Sequence, residues 1–185
     1  MTIFDAILNA DKAEFDKLLG SCDKDHADDL KRTLLWHAAK FNQAEMASDL
    51  IKLGADVNAR DCNQSTPLHI AAERNALAVI SLLVEAKADV NAVNDVGKSA
   101  LFSATDLKVA KLLVGAGADV KHSCRDGYTP LHVASYNGKI PIAKLYLSHG
   151  ADIHAVDKNG KTPYYATAVK RDVTRAFLVT NGAKA

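Results

Sequence analysis

The chain has 185 residues, 48% hydrophobic and 24% charged, with a formal net charge of +1. This balance suits one folded domain or one repeat array, and it argues against intrinsic disorder. No stretch approaches ~18 consecutive apolar residues, which excludes a helical membrane span. Met1-Thr2-Ile3-Phe4-Asp5 has neither the basic start nor the unbroken apolar run of a secretory signal. The three cysteines, Cys22, Cys62 and Cys124, are odd in number and far apart, so free thiols in a reducing, cytoplasmic setting are expected.

Residues 1–27 place Ile3, Phe4, Ile7 and Leu8, then Phe15, Leu18 and Leu19, at helical spacing, with Asn9-Ala10-Asp11 breaking the pattern. They predict two short helices, and the polar run Ser21 to His26 predicts a loop. Residues 28–60 open with Thr33-Leu34-Leu35-Trp36-His37-Ala38-Ala39 and close with Gly54-Ala55-Asp56-Val57-Asn58. Residues 61–93 repeat that pattern as Thr66-Pro67-Leu68-His69-Ile70-Ala71-Ala72 and Ala88-Asp89-Val90-Asn91, 33 residues on. Residues 94–123 match through Ser99-Ala100-Leu101-Phe102. There Leu112-Leu113 follows Leu82-Leu83 by only 30 residues, so the first helix should lose most of a turn near Thr105-Asp106. Residues 124–156 restore Thr129-Pro130-Leu131-His132, and residues 157–185 keep Thr162-Pro163 but carry Tyr164-Tyr165 where Leu-His would stand.

A period of 33 with a Thr-Pro-Leu-His opening resembles the ankyrin repeat. The resemblance implies an all-α solenoid of stacked helix-turn-helix units with β-hairpin-like loops. It makes residues 1–185 a single domain of six repeats, with degenerate first and last repeats as caps. Helices this short are marginal alone in water, so order must come from stacking. Threonine before proline suits a helix N-cap, and proline at the first helical position loses no hydrogen bond. Leu68, Ala71 and Ala72 should face the stack, and Val79, Leu82 and Leu83 should bury in the second helix. Glycine after that helix suits a left-handed cap, and Lys87 in its place predicts mild strain.

In the ankyrin family the fingers and first helices line a concave groove where partners bind. Carried onto this chain, the partner-binding positions are Phe41, Asn63, Glu73, Arg74, Val96, Lys98, Arg125, Asp126, Tyr128, Tyr136, Asn137, Lys158 and Lys161. Val169 and Lys170 hold the corresponding helix positions in the last repeat. Tyr128 and Tyr136 beside Arg125, Arg74 and Lys158 form the expected anchor, because tyrosine and arginine dominate interface hot spots. Trp36 reads as packing.

The charge is uneven along the chain. Residues 1–60 carry 8 Lys/Arg against 11 Asp/Glu, residues 61–120 carry 5 against 7, and residues 121–185 carry 10 against 4. In a solenoid this separates an acidic end from a basic one and points to an anionic partner surface near the C-terminal repeats.

No catalytic motif, phosphate loop or metal-ligand spacing stands out, the nearest pair being His122 and Cys124. The expected function is a non-enzymatic protein-interaction module, adaptor, inhibitor or effector, monomeric, without cofactor or metal, with another protein as partner and no membrane. The alternative is nucleotide or nucleic-acid recognition by the basic C-terminal repeats, with bases stacked on Tyr128 or Tyr136. Asn58 and Asn91 lie in stretches similar to ankyrin asparagines hydroxylated by an iron-dependent oxygenase in animals.

Overall fold

The residues at helix ends decide where each element of this chain begins. The computed structural model describes residues 1–167 and 172–184, which form helices and turns with no sheet. Thr2 and Asp5 cap α1 (Ile3–Leu8) reciprocally, and Asp11 caps α2 (Lys12–Leu19) by accepting the Glu14 N–H. Thr33 caps α3 (Leu34–Lys40) by accepting the Trp36 N–H at 3.2 Å, and α4 (Ala44–Lys52) follows after a tight turn. At α5 (Pro67–Glu73) and α8 (Pro130–Tyr136) histidine completes the cap. The Thr66 and Thr129 N–H groups each donate to Nδ1 of the histidine three residues on, both at 3.1 Å. The partner helices are α6 (Leu77–Glu85) and α9 (Ile140–Ser148).

The shortened repeat behaves as its length requires. Ala100–Ser103 is a single 3-10 turn instead of a seven-residue helix, and Ala104 is already extended. Asp106 then starts α7 (Leu107–Gly115) by accepting the Lys108 N–H at 2.7 Å. The chain continues through α10 (Pro163–Ala166) and α11 (Asp172–Thr180). Val169 and Lys170 lie outside the described residues.

The chain forms two compact units, Met1–Asp95 and Val96–Ala185. In the first, α1, α3 and α5 pack in sequence and α4 lies on α6. Leu34, Leu35, Leu50, Leu68 and Leu83 are fully buried there. The second helix of the third repeat buries Val79, Ile80 and Leu83, whereas Leu82 is half-exposed, against expectation. A helix turns 100° per residue, so Ile80 and Leu82 flank the face set by Val79 and Leu83 at equal angles, and packing buries Ile80 instead of Leu82. Trp36 is packed at 6% exposure beneath the Arg32 guanidinium and the Lys40 ammonium. Beside it Asp28 accepts from Arg32 and contacts His37 Nε2 at 3.1 Å. Burial works against the Asp28 charge, yet these bonds hold its carboxyl well below the usual range.

In the second unit the 3-10 turn, α8 and α10 form one row, and α7 and α9 pack behind it. Tyr146 on α9 stands where the third repeat has Leu83, and it is 1% exposed. Its hydroxyl donates to the Leu101 carbonyl of the 3-10 turn at 3.4 Å. The larger side chain thus reaches toward the turn that the deletion shortened.

The fingers are tight loops closed by backbone bonds, as in Asp61 N–H to the Ser65 carbonyl and Cys124 N–H to the Tyr128 carbonyl. The one isolated β-bridge among the described residues joins Ala27 and Thr33. Within each unit neighbouring fingers are joined, Cys62 N–H to the Leu30 carbonyl in the first and Lys158 N–H to the Asp126 carbonyl in the second. After α6, Lys87 adopts φ +65°, the position where Gly54, Gly117 and Gly150 stand after their helices. A side chain there is strained, as its sequence position predicts. No described helix is long and apolar enough to cross a membrane.

Candidate functional site

The second unit holds a groove of about 340 Å³ on the finger side of α8. It forms because each finger leans on the next. Gly127 lets the fifth finger turn at φ +80° against the sixth, where an added Cβ would lie 2.9 Å from Asp157 Cα. The turn leaves Tyr128 at the mouth of the groove, half-buried, with its ring edge-on to His132 at 5.8 Å.

His132 is 1% exposed and forms the back wall. Because the Thr129 N–H donates to Nδ1, the ring proton sits on Nε2 and donates to the Lys161 carbonyl at 3.0 Å. Burial lowers the pKa of this ring, although the Lys161 carbonyl favours its charged form. The bond ties the fifth helix pair to the sixth finger.

Asp157 sits at the floor, 4% exposed. Its Oδ1 accepts the N–H groups of Asn159 and Lys161 at 2.8 and 2.9 Å, while Oδ2 is shut from solvent and has no hydrogen bond. Burial would raise this carboxyl, but the two N–H groups prevail and keep it below its ordinary value. Its charge raises the phenol of Tyr128.

Tyr136, at the end of α8, and Tyr165, in α10, line the groove at 58% and 54% exposure. Val133 and Ala166 supply smaller apolar surface, and Lys98 and Lys161 supply ammonium groups. Tyr165 occupies the position of the capping histidine in its repeat, and Thr162 Oγ1, which that histidine would have met, is buried without a partner.

Of the residues expected from the sequence, Lys98, Tyr128, Tyr136 and Lys161 meet in this groove. Arg125 and Asp126 point the fifth finger outward, exposed, and Asp126 pairs with Lys158. Val96 is 46% exposed, and its carbonyl accepts the Arg125 N–H. Asn137 caps the end of α8. Phe41, Asn63, Glu73 and Arg74 belong to the other unit. There Lys40 covers the Phe41 ring at 5.3 Å, the Asn63 carbonyl accepts from Asp95 N–H, and Glu73 and Arg74 pair at 3.6 Å. Val133, Asp157, Tyr165 and Ala166 were not expected. Tyr165 had a signal, because an aromatic residue replaces the histidine that the motif calls for.

His122 and Cys124 have separate uses: His122 Nε2 bonds the Gly97 carbonyl at 2.8 Å, and Cys124 is buried. Among the described residues no three His, Cys, Asp or Glu side chains are grouped to hold a metal ion.

A family model of ankyrin repeats in three copies matches residues 3–94, and one of ankyrin repeats in many copies matches residues 113–164. The chain is similar to the nuclear factor NF-kappa-B p105 subunit of Gallus gallus, 36% identical over 121 residues, which cover 62% of this chain and 12% of that protein. It is 38% identical over 108 residues to ankyrin repeat and SOCS box protein 6 of Homo sapiens, covering 52% of this chain and 26% of that protein. Protein fem-1 homolog C of Danio rerio is 31% identical over 103 residues, or 55% of this chain and 17% of that protein. The chain thus spans about a quarter or less of the length of these relatives. Ankyrin repeats are typically protein–protein interaction modules, and this chain belongs to the ankyrin-repeat family.

Proposed function

We propose that the chain is a protein-interaction module whose groove beside α8 seats part of a partner protein. The observation that carries this reading is the pair of large rings, Tyr136 and Tyr165, standing more than half exposed at a cavity. A ring held open to water forgoes burial worth ~2 kcal/mol, which a partner would recover. Tyr165 adds weight, because its place in the motif leaves Thr162 Oγ1 unsatisfied. Local rules are broken most readily where function demands it. An adaptor, an enzyme inhibitor and an effector would all use this surface. The free thiols of Cys22, Cys62 and Cys124 support work in a reducing, cytoplasmic compartment.

The test is site-specific photo-crosslinking in the native cell, with the reactive group at position 136, at 165, or at the exposed Val179 of α11 as a control. Discrete protein adducts from 136 and 165, absent from 179, support the reading. Adducts to nucleic acid, or the same pattern from all three positions, would remove it.

A further inference from the structure

We propose that the occupant of this groove is an acidic peptide segment carrying a bulky apolar side chain. The inference rests on the interaction reading above and names the chemistry of the partner. Two observations converge on it.

The first is charge. Residues 96–185 carry 13 Lys/Arg against 6 Asp/Glu. Five of those six carboxylates are already engaged. Asp106, Asp119, Asp152 and Asp157 accept backbone N–H groups, and Asp126 pairs with Lys158. By contrast the Lys161 ammonium at the groove makes no ion pair among the described residues. Lys98 lines the same cavity. A carboxylate brought there meets the Lys161 ammonium without displacing an internal partner of that side chain.

The second is shape and polarity. Tyr136, Tyr165 and Val133 offer an apolar wall beside those ammonium groups. A cavity of about 340 Å³ accepts a large side chain rather than a folded surface. A basic segment fits poorly. Asp157 is the one acid lining the cavity among the described residues, its Oδ1 holds two N–H groups, and its Oδ2 is closed to solvent, so a cation would meet Lys98 and Lys161 first.

The test is fluorescence anisotropy with the full chain and labelled short peptides of one design: glutamates around a central phenylalanine, the same with glutamine, and the same with lysine. A labelled oligothymidylate is the nucleic-acid arm. The glutamate peptide should bind about tenfold tighter than the glutamine one, and the preference should shrink as salt rises. Lys98→Glu/Lys161→Glu should reverse the order of the glutamate and lysine peptides. Tyr136→Ala should weaken the glutamate peptide at least about fivefold. Both changes lie on exposed side chains, and circular dichroism confirms that the variants are folded.

An unchanged preference in the charge-reversed variant, tighter binding of the lysine peptide, or tighter binding of the oligonucleotide would overturn the proposal. So would the absence of any peptide binding. Protein adducts at position 136 in the crosslinking experiment would then leave the interaction reading standing while this one falls.

Discussion

On the proposed function, Tyr165 is the residue where stability and binding pull in opposite directions. In the third and fifth repeats a histidine satisfies the threonine at the helix start. In the fourth and sixth, Phe102 and Tyr165 replace it, and both Ser99 Oγ and Thr162 Oγ1 are buried without partners. Tyr165→His would restore the arrangement seen at Thr129 and His132. Chemical denaturation should show a gain of about 0.5–1.5 kcal/mol, while affinity at the groove falls. Glycines divide in the same residue-by-residue way. Gly127→Ala drives a Cβ into the backbone of Asp157, whereas at Gly160 nothing lies within 4 Å. Both variants carry the left-handed penalty of ~1–2 kcal/mol, so Gly127→Ala should cost distinctly more, as read from the denaturation midpoint. His132 adds a dependence on pH. Its folded pKa is lowered by burial, so the unfolded chain takes up the proton first as pH falls. The neutral-ring contribution is therefore complete above the unfolded value of about 6.5 and declines below it. His132→Asn should flatten the fall in stability on acidification, a slope to which His37, also lowered by burial, contributes independently.

At the scale of elements, the 3-10 turn and α9 share one structural problem. Three missing residues leave Ala100–Ser103 too short to fill the space that α5 and α8 fill in their repeats, and Tyr146 takes the place of a leucine behind it. Tyr146→Phe should cost ~1 kcal/mol through loss of the hydroxyl's bond to the Leu101 carbonyl, and Tyr146→Leu about 2 kcal/mol or more through the void it opens. Equal stability of wild type and Tyr146→Leu in urea unfolding would show that the turn needs no such filling. The shortened helix was legible beforehand because the two landmarks of each repeat keep their spacing, so a deletion between them has one place to go. The strain at Lys87 was legible for the same reason. The groove was only half legible. Its residues come from three successive fingers and two helices, Lys98, Tyr128, Tyr136 and Lys161 among them, and the motif says which positions face a partner without saying which ones meet. Asp157 marked only the start of the sixth repeat in the sequence, and its place at the floor depends on how the Gly127 turn sits against it. Leu82 was misplaced because two adjacent leucines fit either helical phase, and packing chose between them.

For the whole molecule, the same nearest-neighbour logic that builds the fold also divides it. Residues 1–95 carry 10 Lys/Arg against 16 Asp/Glu and residues 96–185 carry 13 against 6, so each unit has its own charge as well as its own core. In repeat proteins stability is close to a sum of local terms, so a defect weakens its own neighbourhood most. The aromatic residues make this measurable without labels. The single tryptophan, Trp36, lies in the first unit, and all five tyrosines, Tyr128, Tyr136, Tyr146, Tyr164 and Tyr165, lie in the second. Trp36 is buried beneath two cations, so its emission should report loss of the first unit, and tyrosine near-UV circular dichroism should report loss of the second. Leu50 and Leu113 are both fully buried, one in each unit, and truncating either to alanine should cost ~2–5 kcal/mol. Leu113→Ala should lower the tyrosine midpoint in urea more than the tryptophan midpoint, and Leu50→Ala should do the opposite. If the two signals instead move together in both variants, the chain unfolds as one cooperative body, and local summation fails across residue 95.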